Sequence, residues 1–222
     1  MKELKGIIFD MDGVLINSGE YLFQSFNLIL KRYNVELNKN DFKKYAGRSL
    51  KEQIEMWRED FNIKEEINVQ EFSKESFQNE LKLMKEELKP NSDILNLINS
   101  AKENGIKIAV ATSSTKFRAE EILKLINVYD KLDVFITAED VTKHKPAPDV
   151  FLKAAEKLNI NPKNCIVFED AISGIKAAKS AGIFAIAKLT TNHTKKDFEE
   201  IADYIFKDFS EITIKKLIEV TR

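Results

Sequence analysis

Residues 6–13 read GIIFDMDG, a short apolar run that ends in two aspartates and a glycine. A continuous apolar run bounded by a polar turn predicts a strand buried on both faces, which is typical of parallel sheets. In open parallel sheets ligands bind at the carboxyl ends of the strands. The stretch therefore predicts a fold class, and it places Asp10 and Asp12 where a binding site is expected.

Short apolar runs of the same kind recur along the second half of the chain. They lie at residues 106–111, 134–136, 165–168, 184–187 and 204–206. Helix-like stretches separate them; in one of these, Ser92 would cap the helix start and Gly105 would end it. Strands that alternate with helices predict an α/β fold with a doubly wound parallel sheet.

The segment 17–88 has helical periodicity and contains no convincing buried strand. Its apolar side chains fall into two helical stripes, Leu22, Phe26, Ile29 and Tyr33, and Phe77, Leu81, Met84 and Leu88. We therefore predict an inserted helical domain at 17–88, a bundle of about four helices, with the sheet domain formed by 1–16 and 89–222. Trp57, at helical spacing from its apolar neighbours, is predicted to belong to the bundle core.

Composition and charge exclude several classes of partner. The chain has 35 basic and 36 acidic residues and a net charge of -1, so no global field would hold a nucleic acid or an anionic membrane. No apolar run reaches membrane-spanning length, and no heptad seam indicates a protein partner. The single cysteine, Cys165, cannot form an internal disulfide and is predicted to be a buried small hydrophobe. A cytoplasmic protein is expected.

Polar side chains follow four of the predicted strands. They are Asp10, Asp12, Thr112, Ser113, Lys145, Glu169 and Asp170. The carboxylates of Asp10, Asp12 and Asp170 would converge at one edge of the sheet, and such hard oxygen ligands suit Mg²⁺. Lys145 precedes a proline-stiffened turn and would add the positive charge that lets a carboxylate approach a phosphorus atom.

Four short motifs, in chain order, resemble the signature motifs of the haloacid dehalogenase superfamily. They are residues 9–18 (FDMDGVLINS), 111–113 (ATS), 145–149 (KPAPD) and 168–175 (FEDAISGI). The resemblance covers essentially the whole chain and implies a Rossmann-like core. It is strongest to the branch with a helical cap inserted after the first motif, which includes beta-phosphoglucomutases, phosphoglycolate phosphatases and sugar-phosphate phosphatases.

The resemblance implies covalent catalysis through an aspartyl-phosphate intermediate. Asp10 would be the nucleophile, and Asp12 would protonate the leaving oxygen and later activate water. Thr112, Ser113 and Lys145 would bind the transferring phosphoryl group, with Lys145 also neutralising Asp10 enough for the attack.

The resemblance also implies a Mg²⁺ site. Asp10, the backbone carbonyl of Asp12 and Asp170 would hold the ion, and Glu169 would bind it through water or steer its ligands. A calcium loop beginning at Asp10 is excluded by its spacing, because Leu15 stands where that loop needs glycine and Tyr21 where it needs glutamate.

In the helical domain, Arg48 and Lys74 could contact a second anionic group of the substrate, or they could be solvated helix charges. Both interpretations stay open. Beta-phosphoglucomutases carry a histidine where this chain has Leu22 and an arginine where it has Leu50. The stretch 47–49 is closer to the phosphatase members.

Three functions therefore remain. The sequence favours hydrolysis of a small phosphomonoester, with a sugar phosphate as the favoured class. A phosphosugar mutase is the alternative. A catalytically idle phosphate-binding regulatory protein is the least favoured, because all four acids and the lysine are present.

Overall fold

The computed structural model of the chain describes residues 3–45 and 48–221. Its strands are β1 (Gly6–Phe9), β2 (Lys107–Ala111), β3 (Val134–Ile136), β4 (Cys165–Glu169), β5 (Phe184–Lys188) and β6 (Tyr204–Phe206). Within the described residues these six strands form one parallel sheet in the order β3-β2-β1-β4-β5-β6. The predicted α/β fold with a doubly wound parallel sheet is confirmed.

Helices lie between the strands and fill the inserted segment. They are α1 (Ser18–Leu30), α2 (Lys39–Tyr45), α3 (Leu50–Asp60), α4 (Val69–Glu87), α5 (Ser92–Glu103), α6 (Lys116–Leu125), α7 (Asp149–Leu158), α8 (Ile172–Ser180), α9 (Lys195–Phe198) and α10 (Ile214–Val220). Short 3₁₀ turns lie at Lys31–Tyr33, Tyr129–Lys131, Ala138–Asp140, Pro162–Asn164 and Phe209–Glu211. In the part of the chain that the structure describes, no helix is both long and apolar enough to cross a bilayer.

Successive side chains of a strand point to opposite faces of the sheet, and in this sheet both faces are apolar. On one side, Ile8 pairs in register with Ala109 and Val167 and belongs to a core cluster that includes α7 and α8. On the opposite face of the sheet, the ring of Phe9 stacks on that of Phe168 with centroids 5.1 Å apart. A four-residue strand with this environment has no polar face, which explains the continuous apolar run in the sequence.

The strand order reverses its direction at β1. The chain places β2 and β3 on one side of β1, and β4, β5 and β6 on the other. Such a switch point opens a crevice at the carboxyl ends of the central strands, because the connections leave in opposite directions. The residues that follow β1, β2 and β4 therefore meet at one place.

The described chain divides into two compact units. One contains the residues up to Asn17 and from Lys89 onward, and the other is Ser18–Leu88. In the helical unit, the ring of Phe26 packs edge-on against Trp57 and Phe72, with centroids 5.4 Å and 5.3 Å apart. Trp57 is fully buried in this cluster, as its spacing predicted.

The predicted start of α5 is wrong by one residue. Asn91, and not Ser92, caps the helix: its side chain accepts hydrogen bonds from the N–H groups of Asp93 and Ile94. Asn and Ser rank equally as N-caps, so adjacent Asn and Ser residues leave the choice open at the sequence level.

The predicted apolar stripe of α4 is also displaced. The buried positions of this helix are Phe72, Ser76, Glu80 and Met84. The hydroxyl of Ser76 lies 3.0 Å from that of Ser25 on α1, so polar side chains fill part of the buried face by bonding to each other. A search for hydrophobic periodicity does not detect such a face.

Cys165 lies in β4 with no exposed surface, and burial raises the pKa of its thiol to about 12. Both effects suppress the thiolate that reacts with alkylating agents. We expect iodoacetamide at pH 8 to leave the native protein unmodified and to label one thiol per chain in guanidinium chloride, measured by intact mass. Ser73→Cys, at an exposed position of α4, is the control and should be labelled rapidly at the added cysteine alone. Rapid modification of the native wild type would contradict the buried placement.

Candidate active site

Three strand ends and one loop bring the predicted residues together. Asp10 follows β1, Thr112 follows β2, and Glu169 is the last residue of β4. Lys145 comes from the loop between β3 and α7 and reaches back to the sheet. These strands are adjacent, so their polar ends share one crevice at the switch point.

Lys145 forms the centre of this cluster. Its ammonium donates to Asp10 Oδ1 at 2.5 Å and to Glu169 Oε1 at 2.9 Å. All three side chains are less than a tenth exposed, at 7%, 9% and 2%. Burial lowers the pKa of Lys145, but attraction to the two carboxylates outweighs it and leaves that pKa above its ordinary value. Lys145 therefore keeps its proton and its positive charge, and it does not act as a general acid.

The site balances the negative charge of two carboxyl groups only in part. Burial raises the pKa of Asp10 well above its usual range, although Lys145 opposes this effect. Burial, with repulsion from Glu169, raises the pKa of Asp170 to about 7, against the attraction of Lys188 and Lys145. Such a site favours a further cation.

Gly13 shapes the loop that follows β1. Its φ angle is +88°, and its N–H donates to the carbonyl of Ile16 at 2.7 Å. A Cβ atom at this position would lie 2.1 Å from Asp170 Oδ2, so the carboxylate of Asp170 packs directly against the glycine backbone. Both the backbone angle and the close approach require glycine.

Glu169 is engaged through both of its oxygens. Oε1 accepts from Lys145, and Oε2 accepts from the backbone N–H of Ala171 at 2.6 Å. Gly174 leaves the space, because a Cβ atom there would lie 1.7 Å from Oε1. This arrangement holds Lys145 in place, and both metal roles predicted for Glu169 stay predictions.

The second motif is placed beside this cluster, with its two hydroxyl residues in different environments. Thr112 is buried, and its Oγ1 accepts from the N–H of Ser114 at 3.1 Å. Ser113 is exposed. Phosphoryl binding by Thr112 and Ser113 stays a prediction.

Two cationic side chains of the site, Arg118 and Lys188, were not predicted from the sequence. Arg118, in the first turn of α6, is bound to the carboxylate of Asp12, with Nη2 2.9 Å from Oδ1. Lys188, at the end of β5, donates to the carbonyl of Gly13 at 2.7 Å, and burial lowers its pKa. The strand-end rule could have found Lys188. No motif or spacing marks Arg118.

Two of the predicted site residues, Arg48 and Lys74, lie in the helical unit. Arg48 is exposed, and its guanidinium donates to the carbonyl of Lys44 at 2.7 Å. Lys74 is an exposed residue of α4. Of the stretch 47–49 that was compared with phosphatases, residue 47 lies outside the described residues. Substrate contact by Arg48 or Lys74 stays a prediction.

The donor set of the site suits a hard divalent cation, although its ligands are not all side chains. In residues 3–45 and 48–221, no three His, Cys, Asp or Glu side chains form a metal-binding group by themselves. The Asp12 carboxylate points to Arg118 and does not join Asp10 and Asp170 as a third ligand. The carboxyl groups of the buried Asp10 and the partly buried Asp170 remain, and the Asp12 backbone carbonyl belongs to the loop that follows Asp10. Carboxylate and carbonyl oxygens are the donors that Mg²⁺ accepts.

The raised pKa of Asp170 predicts a stability effect of Asp170→Asn. Between about pH 4 and pH 7 the folded protein holds a proton on Asp170 that the unfolded chain has lost, so stability falls as the pH rises through this window. Asparagine cannot ionise and avoids this loss. With EDTA present, we expect the variant to gain about 1 to 3 kcal/mol over the wild type at pH 8, and little at pH 4.5.

Urea unfolding at several pH values would measure this difference. Asp130→Asn, at an exposed position in a 3₁₀ turn, is the control and should track the wild type at every pH. Parallel stability curves for Asp170→Asn and the wild type would show that Asp170 carries no burial penalty.

The chain is similar to known proteins in both sequence and fold. The haloacid dehalogenase-like hydrolase family matches residues 7–188. A phosphorylated carbohydrates phosphatase of Thermotoga maritima is 31% identical over 180 residues, which cover 81% of this chain and 82% of that protein. A beta-phosphoglucomutase of Bacillus subtilis is 31% identical over 190 residues, covering 82% of each chain.

A solved structure agrees over nearly the full length. The crystal structure of a HAD hydrolase, family IA, variant 3, from Entamoeba histolytica superposes with a TM-score of 0.84 at 26% identity, and covers 98% of this chain and 99% of that chain. The family match contains the Asp10 loop, Lys145 and Asp170, the residues that the sheet brings to one crevice. The chain therefore belongs to the haloacid dehalogenase-like hydrolase family.

Proposed function

We propose that this protein is a Mg²⁺-dependent phosphatase that hydrolyses a small phosphomonoester through an aspartyl-phosphate on Asp10. The observation that carries the proposal is the buried Lys145 ammonium between Asp10 and Glu169. A carboxylate attacks phosphorus only when it is ionised, and burial alone would favour the neutral acid. Lys145 opposes that tendency and also brings a positive charge to where phosphate oxygens would lie.

In the first step, an oxygen of Asp10 forms a bond to phosphorus while the bond from phosphorus to the leaving oxygen breaks. Asp12 gives its proton to that oxygen, which departs as an alcohol. The charge that accumulates on the phosphoryl oxygens lies near the Lys145 ammonium and the Thr112 hydroxyl. Two positioned donors at this place lower the barrier more than they lower the energy of the bound substrate.

In the second step, Asp12 takes a proton from a water molecule whose oxygen attacks phosphorus. The bond between phosphorus and Asp10 breaks, and inorganic phosphate leaves. Both aspartates return to their starting protonation states, so the cycle consumes one water and one ester. Asp10 and Asp12 are separated by one residue in the loop after β1, which lets one serve as nucleophile and the other as proton carrier.

Mg²⁺ would be held by the carboxylates of Asp10 and Asp170 and by the Asp12 carbonyl. When bound, it supplies charge that neutralises the phosphate and these carboxylates. Lys188, which donates to the carbonyl of Gly13, would keep the loop in the shape that presents these donors.

A sugar phosphate is the favoured substrate class, because the T. maritima relative is a phosphatase of phosphorylated carbohydrates. A phosphosugar mutase remains the second candidate, since the B. subtilis relative is a beta-phosphoglucomutase. Leu22 and Leu50 replace the histidine and arginine of mutases and argue for hydrolysis. The helical unit would act as the cap that selects the substrate.

Replacing the nucleophile tests the reaction type. Asp10→Asn removes the attacking charge while keeping the size of the side chain. We expect kcat to fall by about 10³-fold or more, because the covalent route is closed. The measurement is phosphate release from 4-nitrophenyl phosphate with Mg²⁺, with circular dichroism to confirm folding and Asp130→Asn as the active control. Near-wild-type turnover by Asp10→Asn would exclude Asp10 as nucleophile.

A substrate panel separates the phosphatase from the mutase. With glucose 1-phosphate and other sugar phosphates, we expect inorganic phosphate to be released with Mg²⁺ and the release to stop with EDTA, because Lys145 alone then has to balance the phosphate and the carboxylates. Glucose 6-phosphate should not accumulate. Formation of glucose 6-phosphate faster than phosphate release would favour the mutase. Full activity in EDTA would contradict the metal requirement.

A further inference from the structure

The carboxylate of Asp12 is held by two side chains that the proposed reaction does not otherwise use. Arg118 Nη1 donates to Oδ2 at 3.0 Å, and Nη2 lies 2.9 Å from Oδ1. The hydroxyl of Ser114 donates to the same Oδ2 at 2.8 Å and accepts from Arg118 Nη1 at 2.7 Å. A bidentate guanidinium–carboxylate pair fixes direction as well as distance.

The start of α6 brings Ser114 and Arg118 close to each other and to Asp12. Ser114 lies just before the N-cap residue of α6, and Arg118 lies in the first turn of that helix, so the chain that enters α6 brings both side chains to Asp12. The N-cap residue Thr115 makes no side-chain capping bond. The Ser114 hydroxyl is directed to Asp12, and its backbone N–H is bonded to Thr112.

The pair is shielded more than an ordinary surface ion pair. The side chains of Arg118 and Asp12 are 20% and 33% exposed. Exposed pairs contribute little because water screens them and because two mobile side chains must be ordered. Here Ser114 bonds to both members, which restricts them to one geometry. Asp12 and Asp10 are thus paired with different cations, Arg118 and Lys145, which indicates different tasks for the two carboxyl groups.

We propose that Arg118, together with Ser114, is a positioning residue that fixes Asp12 for proton exchange with the substrate. The inference rests on the proposed function, in which Asp12 protonates the leaving oxygen. Proton transfer requires the carboxyl group within hydrogen-bond reach of that oxygen, and an aspartate free to rotate would lose this placement. Arginine stays charged and exchanges no proton; its fork matches the ionised carboxylate that Asp12 becomes when it gives its proton to the leaving oxygen.

Two esters of similar shape test the proposal. The 4-nitrophenolate of 4-nitrophenyl phosphate leaves readily without a proton, whereas the phenolate of phenyl phosphate depends on one. We expect Arg118→Met to lower kcat/KM for phenyl phosphate about tenfold more than for 4-nitrophenyl phosphate. Arg118→Lys keeps the charge but loses the fork, and should fall between Arg118→Met and the wild type. A purely structural role would lower both rates equally.

A double-mutant cycle identifies Asp12 as the target. In an Asp12→Asn background, Arg118→Met should cause no more than about a twofold further loss, because its effect passes through the Asp12 carboxyl group. Ser114→Ala removes one bond and should show a smaller loss with the same ester preference; it also serves if Arg118→Met does not fold. Lys116→Met, at an exposed position of the same helical turn, is the control and should match the wild type.

The outcomes separate this inference from the proposed function. A wild type that hydrolyses both esters, with variants that lose both rates equally or that lose further activity in the Asp12→Asn background, overturns the positioning role alone. Such a result would indicate that Arg118 holds α6 in place or binds the substrate directly. A wild type that releases phosphate neither from these esters nor from the sugar phosphates overturns the proposed function, and the inference with it.

Discussion

The site depends on one buried charge arrangement, the ammonium of Lys145 between the carboxylates of Asp10 and Glu169. Removing charges from water is costly, and the cost is repaid only where the partners are fixed in good geometry. Here the sheet fixes both carboxylates, because β1 and β4 are adjacent and pair in register from Gly6 and Cys165 to Phe9 and Phe168. The apolar strands are therefore the frame that keeps like charges close to one another.

The same constraint explains the two glycines of the site. Gly13 allows Asp170 to lie against the loop after β1, and Gly174 leaves room for Glu169 at the start of α8. A side chain at either position would push a carboxylate away from its cation. The glycines do not act chemically; they set the distances on which the electrostatics depend.

The strands and the polar residues at their ends could be predicted from the sequence, but the contacts between residues far apart in the chain could not. Apolar runs located the strands, because a strand buried on both faces has no polar positions. Lys145 could be placed by its motif, yet nothing in the sequence pairs Arg118 with Asp12, which lies 106 positions earlier. Ser76 was missed for a related reason: its bond to Ser25 makes a polar residue part of a buried face. Such pairs are determined by tertiary packing and leave no periodic signal.

The carboxylates that follow β1 and β4 differ mainly in the cation beside them. Lys145 contacts Asp10, Arg118 contacts Asp12, and Lys188 lies close enough to Asp170 to oppose the rise in its pKa. Asp10 is paired with a buried ammonium. Asp12 is paired with a planar, partly exposed guanidinium, and it also accepts a hydrogen bond from Ser114. Chemically identical groups acquire different tasks when their surroundings differ in this way. The division of roles among these aspartates is therefore built by the strands and helices that deliver their partners.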